Sequence, residues 1–292
     1  MENNGQKIAI LTDSCTDVPA GLVQKYGIHV VPLHINYKDA SYRDRVDIQP
    51  DEVYARFEEE IPKTSTPTPA EVSQRLDVIA ADGYTHVIIV AISSGLSGTY
   101  SLMCTLAEER ADMKVGVVDT KNIGLGAGLS VIAAAELVAQ GRTFEDVMAR
   151  MDRVVEQTKV LFCVDTLDYL YAGGRIGRVA YSLGSKLDIR PVITCSDDDG
   201  VYITIAKSHG RKGSLKKAFA TAVKKFEGAK DYRVVVVHGG AEKEALDLVE
   251  SFKQELPDVK EILFEQISPA LVVHTGPGLI GIGTQVMDGL FD

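Results

Sequence analysis

The side chains in this sequence that could do chemistry are mostly hydroxyls, and they gather where an apolar run gives way to a helical pattern. Ser93-Ser94-Gly95-Leu96-Ser97-Gly98-Thr99-Tyr100 follows Val87 to Ile92, which reads as a buried parallel strand. It precedes Leu102, Met103, Leu106, Ala107 and Arg110, spaced to share one helix face. Open α/β proteins build anion sites from this succession of strand, hydroxyl-and-glycine turn, and helix. The helix start offers unpaired N–H groups and partial positive charge. Glycines let the backbone come close to a ligand. Ser97 and its neighbours, Ser94 and Gly95 among them, are therefore candidates to grip a small anionic head group.

Three other places carry similar potential. In Lys63-Thr64-Ser65-Thr66-Pro67-Thr68-Pro69, Thr68 and Glu71 have capping-box spacing and Pro69 fits the first helical position. This puts the hydroxyls of Thr64 to Thr66 on the loop just before a helix; the plain alternative is a polar loop with ordinary caps. His274 and Thr275 adjoin Gly276-Pro277-Gly278, a turn where backbone and side chain can meet a ligand, although a lone histidine after an apolar run is often structural. Two glycines ahead of Arg175 can expose its guanidinium for bidentate anion contact; the alternative is an arginine on an exposed loop.

Other chemistries find little support. Gly276-x-Gly278-x-x-Gly281 matches the dinucleotide fingerprint in letters, but no helical pattern follows it. There is no GxxxxGK[ST] loop. Gly95-Leu96-Ser97-Gly98-Thr99 lacks the second glycine of a nucleophile elbow. The six histidines show neither HExxH nor close Cys/His spacing, so no metal site is expected. Asp197-Asp198-Asp199-Gly200 misplaces its glycine for a calcium loop and reads as a turn.

The net charge of −10 argues against nucleic acid or an anionic membrane as principal partner. Cys15, Cys104, Cys163 and Cys195 are scattered and are expected as single buried thiols. Met1 to Lys7 is polar, without a signal-like apolar core, and no apolar run reaches a membrane span. A cytoplasmic protein is expected.

The elements that must hold these residues follow from periodicity. Lys7 to Leu11 and His29 to Tyr37 read as strands, flanking a helix that Asp17 would cap and Gly27 would end. Gln49-Pro50 opens an acidic helix, and a strand at Lys114 to Asp119 precedes helices over Leu129 to Ala139 and onward from Thr143. Strands alternating with helices predict an N-terminal three-layer α/β domain with a parallel sheet, residues 1–157. Strands at Val160 to Val164, Pro191 to Cys195 and Val201 to Ala206, then a basic helix through Leu215, Phe219, Val223 and Phe226, predict a mixed-sheet α+β domain, residues 158–292.

Taken in order, Thr12-Asp13-Ser14, Lys63-Thr64-Ser65-x-Pro67, the Ser93 to Tyr100 stretch, Gly173-Gly174-Arg175-Ile176 and His274-Thr275-Gly276-x-Gly278 resemble the DegV family of bacterial fatty-acid-binding proteins. The resemblance covers essentially the whole chain. One departure is Thr66, where many relatives carry glutamine. The resemblance implies two α/β domains with one long-chain fatty acid buried between or beneath them. It implies that Thr64 or Ser65, with Ser97, holds the carboxylate, with His274 close by. It ties Arg175, and more loosely Arg211, to work with a separate ATP-dependent fatty acid kinase that makes the acyl phosphate. No cofactor is implied beyond the fatty acid itself, and no bond is broken by the carrier.

Such a ligand is a carboxylate on an apolar rod. Burying about 14 methylenes at roughly 0.8 kcal/mol each yields on the order of 11 kcal/mol before ordering costs. Hydroxyls and a helix start would offset the desolvation of the carboxylate without a counter-charge in the tunnel. The rival reading is a serine hydrolase or acyltransferase using Ser97 and His274, with Asp119 or Asp13 orienting the imidazole.

Overall fold

The apolar runs up to Asp119 become parallel strands because helices cover them on both sides. The computed structural model describes residues 5–179, 188–259 and 261–292; residues 1–4 of the polar opening segment lie outside them. The chain begins with β1 (Ile8–Asp13), a 3-10 turn at Ser14–Thr16, α1 (Ala20–Tyr26), β2 (His29–Val31), β3 (His34–Asn36), β4 (Ser41–Arg43) and α2 (Pro50–Arg56). It continues through β5 (Lys63–Ser65), α3 (Pro69–Ala81), β6 (His86–Ala91), α4 (Thr99–Glu108), β7 (Lys114–Asp119), α5 (Gly124–Ala139) and α6 (Phe144–Glu156). Then come β8 (Thr158–Cys163), α7 (Asp168–Ala172), β9 (Ile189–Cys195), β10 (Tyr202–His209) and α8 (Gly210–Lys225). Last are β11 (Tyr232–Gly239), α9 (Glu242–Glu255), β12 (Ile262–Gln266), α10 (Pro269–Thr275) and β13 (Leu279–Val286).

The first sheet has the order β2-β1-β6-β7, all neighbours parallel. Val72, Leu76 and Ile79 of α3 and Met103 of α4 cover Leu11, Val87 and Ile89 on one face. Val131 and Leu137 of α5 and Val147 and Met151 of α6 cover Ile10, Ile88 and Val90 on the other. Alternate residues of each strand therefore serve opposite helix layers, as the pleat requires.

The second sheet draws its strands only from Thr158 onward, in the order β10-β9-β8-β13-β11-β12. Its pairs are antiparallel except β11 with β12, so the sheet is mixed. Ala218, Ala222 and Phe226 beside α9's Val249 and Phe252 pack one face. The other face turns toward α5, α10 and a small antiparallel sheet, β4-β3-β5. Helix α5 lies between the two large sheets, with Leu125, Leu129 and Ile132 in the central core and Val131 and Leu137 in the first. All but three of its 16 residues are buried, so it is apolar all round rather than amphipathic.

Several expected elements are corrected. His29 to Tyr37 is two strands in different sheets, divided at Pro32-Leu33. Proline has no N–H for a ladder, and the Leu33 N–H goes instead to Ser14 Oγ at 3.0 Å. Thr64 and Ser65 lie on β5, not on a loop, paired to β3 with Ile35 opposite Thr64. Asp17 does not cap α1, which starts after Pro19 without a side-chain cap; Asp17 is turned to φ 51° and bonds elsewhere. Helix α5 begins at Gly124, five residues before Leu129, because Gly124, Gly126 and Gly128 conceal its first turns from a propensity reading. All four cysteines are free, and Cys104 is only partly buried. No helix among the described residues is long and apolar enough to cross a membrane.

The capping box at α3 closes as expected. Thr68 Oγ1 accepts the Glu71 N–H at 3.2 Å, and Glu71 Oε2 accepts the Thr68 N–H at 2.8 Å. Thr68→Ala is expected to lower unfolding free energy by about 1 kcal/mol with an unchanged denaturant slope, measured by urea titration. Unaltered stability would contradict this account of the helix start.

Candidate functional site

Where the central core meets the turn after β6, three distant segments bring polar groups together. Thr64 comes from β5, Ser97 from the turn before α4, and His274 from the last turn of α10; all three line one cavity, together with Cys15, Arg175 and Thr275. Thr64 Oγ1 lies 2.7 Å from His274 Nε2. Burial, aided by the nearby Arg175 charge, pushes the imidazole pKa down to about 3, so the ring is neutral at ordinary pH. A neutral ring donating from Nε2 to Thr64 frees the Thr64 O–H to donate into the cavity. Gly173 makes room for the imidazole: a β-carbon there would collide with Nδ1 and stand 3.0 Å from Cε1.

Ser97 shapes the other wall. Its Oγ accepts the Thr99 N–H at 3.2 Å and lies 2.9 Å from Thr99 Oγ1, so it acts as a cap on α4 while facing the cavity. Arg175 is held by its Nε to Leu96 O at 3.3 Å and by one Nη to Gly173 O at 2.8 Å. Its second Nη has no bond among the described residues. A cation therefore lines this cavity, which corrects the expectation of hydroxyls without a counter-charge. Donors and positive charge from three elements can receive a carboxylate here.

Five expected site residues lie elsewhere or are engaged. Ser65 alternates to the other side of β5, where its Oγ accepts from Asn36 Nδ2 at 3.1 Å. Ser94 is exposed and donates to Asp119 Oδ2 at 2.6 Å. Gly95 packs on the β9–β10 turn, where a β-carbon would stand 2.8 Å from Val201 N. Arg211 opens α8 and pairs with Glu244 at 2.7 Å, outside the cavity. Thr275 does line the cavity, but its hydroxyl donates to Leu271 O at 2.9 Å.

The hydrolase arrangement is not assembled. His274 Nδ1 makes no hydrogen bond. Asp119 is bonded to Ser94 and to the Lys121 N–H, and Asp13 to the N–H groups of Cys15 and Ile92. Among the described residues, no carboxylate orients the imidazole.

Behind the polar cavity lies an apolar one. Both are lined by Ile123, Tyr202, Leu271 and Thr275, so they adjoin across these four residues. The apolar part runs under α5 between Val160 and Phe162 of β8, Val235 and Val237 of β11, and Gly281 and Gly283 of β13. The two cavities are small, about 30 Å³ for the apolar one and about 40 Å³ for the other. The path is thus narrow. A β-carbon at Gly281 would stand 2.6 Å from Val237 Cγ2, so a larger residue would crowd this floor. Gly281 and Gly283 were the legible signal missed in sequence: at a spacing of two on a strand they share a face.

The chain matches the family described as "Uncharacterised protein, DegV family" over residues 7–286, and it belongs to that family. A DegV domain-containing protein of Clostridium acetobutylicum is 39% identical over 277 residues, covering 95% of this chain and 98% of its own. A Thermotoga maritima protein named as a fatty acid-binding protein is 31% identical over 97% of this chain and 99% of its own. Among solved structures, a Thermus thermophilus DegV family protein described as binding fatty acid aligns with a TM-score of 0.87 at 33% identity, covering 96% of this chain and all of its own. A stearic acid-binding protein of Eubacterium ventriosum aligns at 0.84 with 26% identity, over 98% of each chain.

The neutral imidazole has a consequence for stability. A histidine whose folded pKa lies near 3 contributes stability above its unfolded value near 6.5 and loses it as pH falls through that window. His274→Gln lacks this penalty. Relative to the wild type it is expected to gain about 2 kcal/mol between pH 7.5 and pH 5, measured by urea unfolding at both. A difference that stays constant with pH would contradict the neutral assignment.

Proposed function

We propose that this protein binds one long-chain fatty acid and presents it to a separate ATP-dependent kinase for acyl-phosphate formation. The observation that carries this reading is that a cavity lined by Thr64, Ser97, Arg175 and His274 adjoins an apolar one. A carboxylate would take hydrogen bonds from Thr64, whose oxygen His274 supports, from Ser97, and from the free Nη of Arg175. The alkyl chain would lie under α5, between the units of residues 1–157 and 158–292, with side chains moving apart to widen the path. Chain burial supplies most of the affinity, and the hydroxyls and guanidinium offset the desolvation of the head group.

In this reading the protein is a carrier of the cytoplasm and catalyses nothing itself. Arg175 would serve the head group and, once the acid is phosphorylated, the acyl phosphate. Arg211, engaged by Glu244, would meet the kinase only after breaking that pair. The family relatives named for fatty acid and stearic acid support the ligand class.

Protein purified from bacterial cells and extracted for lipid mass spectrometry is expected to carry a long-chain acid at about one per chain. A preparation with no acyl chain, and none taken up from added palmitate, would sink the reading. Ser97→Ala is expected to weaken palmitate retention by roughly 1 to 3 kcal/mol, because it removes a bond to a charged group, whereas Ser65→Ala should leave it unchanged. A fluorescent fatty-acid displacement assay checks both, and equal effects at the two serines would contradict the geometry.

A further inference from the structure

Three buried carboxylates stand outside the head-group cavity, yet each accepts a backbone N–H from a segment that leads into it. Asp13 Oδ2 accepts the Ile92 N–H at 2.9 Å, just before the turn that carries Ser97. Asp17 Oδ1 accepts the Ser268 N–H at 3.0 Å, and Arg45 Nη2 at 3.1 Å, the same nitrogen donating to Gln266 O at 2.6 Å. Asp44 Oδ1 accepts the Ala270 N–H at 3.1 Å, and its Oδ2 accepts the Ser14 hydroxyl at 2.6 Å. Ser268 and Ala270 are at the start of α10, and His274 is near its end.

The three carboxylates are 0%, 3% and 1% exposed. Burying a carboxylate is costly, and the strain shows in their acidities: burial above all raises Asp13 to about 7 and Asp44 to about 6. Helix α10 has only seven residues, so a displacement at its start is carried to the imidazole within two turns. Thr64 and His274 meet at 2.7 Å, a contact that tolerates little movement.

We propose that Asp13, Asp17 and Asp44 are positioning residues for the carboxylate site, Asp13 fixing the turn that carries Ser97 and the other two fixing the helix that carries His274. The inference rests on the fatty-acid reading above and gives a task to Thr12-Asp13-Ser14, which the cavity itself leaves unused.

The test compares palmitate with hexadecan-1-ol, which has the same chain without the carboxylate, on the full-length protein. Asp44→Ala removes the acceptor of the Ala270 N–H. Ser268→Pro removes the N–H that Asp17 accepts, at φ −64° and ψ 154°, angles that proline adopts. Each variant is expected to bind palmitate about tenfold more weakly, with hexadecan-1-ol changed by less than about threefold. Asp44→Asn, which keeps an oxygen for Ala270, is expected to retain most of the palmitate affinity. Equal losses for the two ligands, or palmitate affinity unchanged, would overturn the positioning role while leaving the fatty-acid reading intact. A wild type that binds no palmitate would overturn both. Should Asp44→Ala not fold, the same ratio measured on Ser268→Pro and Asp44→Asn decides.

Discussion

The hydrogen bond between His274 and Thr64 joins residues 210 positions apart, and the site exists only where that closure is made. It needs β5 held against β3, so that Thr64 faces inward opposite Ile35. It needs α10 packed against the small sheet and α7, and it needs Gly173 to leave space for the ring. Burial keeps the imidazole neutral, which makes it a support for a neighbouring hydroxyl rather than a counter-charge. The positive charge in the cavity comes instead from Arg175, tied by its own bonds to Leu96 and Gly173. The division of labour is between a neutral donor chain and a fixed cation, both aimed at one small space.

Helix α5 is the structural counterpart of that closure. It belongs to the core of the parallel sheet on one side and to the core of the mixed sheet on the other. The apolar cavity runs beneath it over strands β8, β13 and β11. Because two glycines of β13 face this space, the sheet leaves a furrow where side chains would otherwise close it. An apolar space adjoining one lined by hydroxyls and a guanidinium offers unlike surroundings to apolar and polar groups.

Much of the architecture was legible because periodicity reports burial directly. The apolar strands β1, β6 and β7, the capping box at Thr68, and the hairpin of β9 with β10 follow local rules that no distant contact overrides. Two of the misreadings, the single strand from His29 and the loop at Thr64, have a common cause. The polar β5 is a strand only because β3 pairs with it, and β3 is free to do so only because Pro32 parts it from β2. With β5 read as a loop, Thr64 and Ser65 could not be told apart. Once it is a strand, the pleat sends one into the cavity and the other to Asn36.

The sequence by itself determined that hydroxyls follow a buried strand at Ser97, that helices alternate with strands, and that no nucleotide loop or metal motif is present. These depend on neighbours a few residues apart, whose spacing sets which face each side chain takes. Packing alone settles that Thr64, Ser97, Arg175 and His274 share one cavity, that Ser94 and Arg211 are spent on Asp119 and Glu244, and that a furrow of glycines under α5 adjoins it. Those facts depend on which distant surfaces exclude water together, and that is settled by the packing of whole elements, on which local spacing is silent.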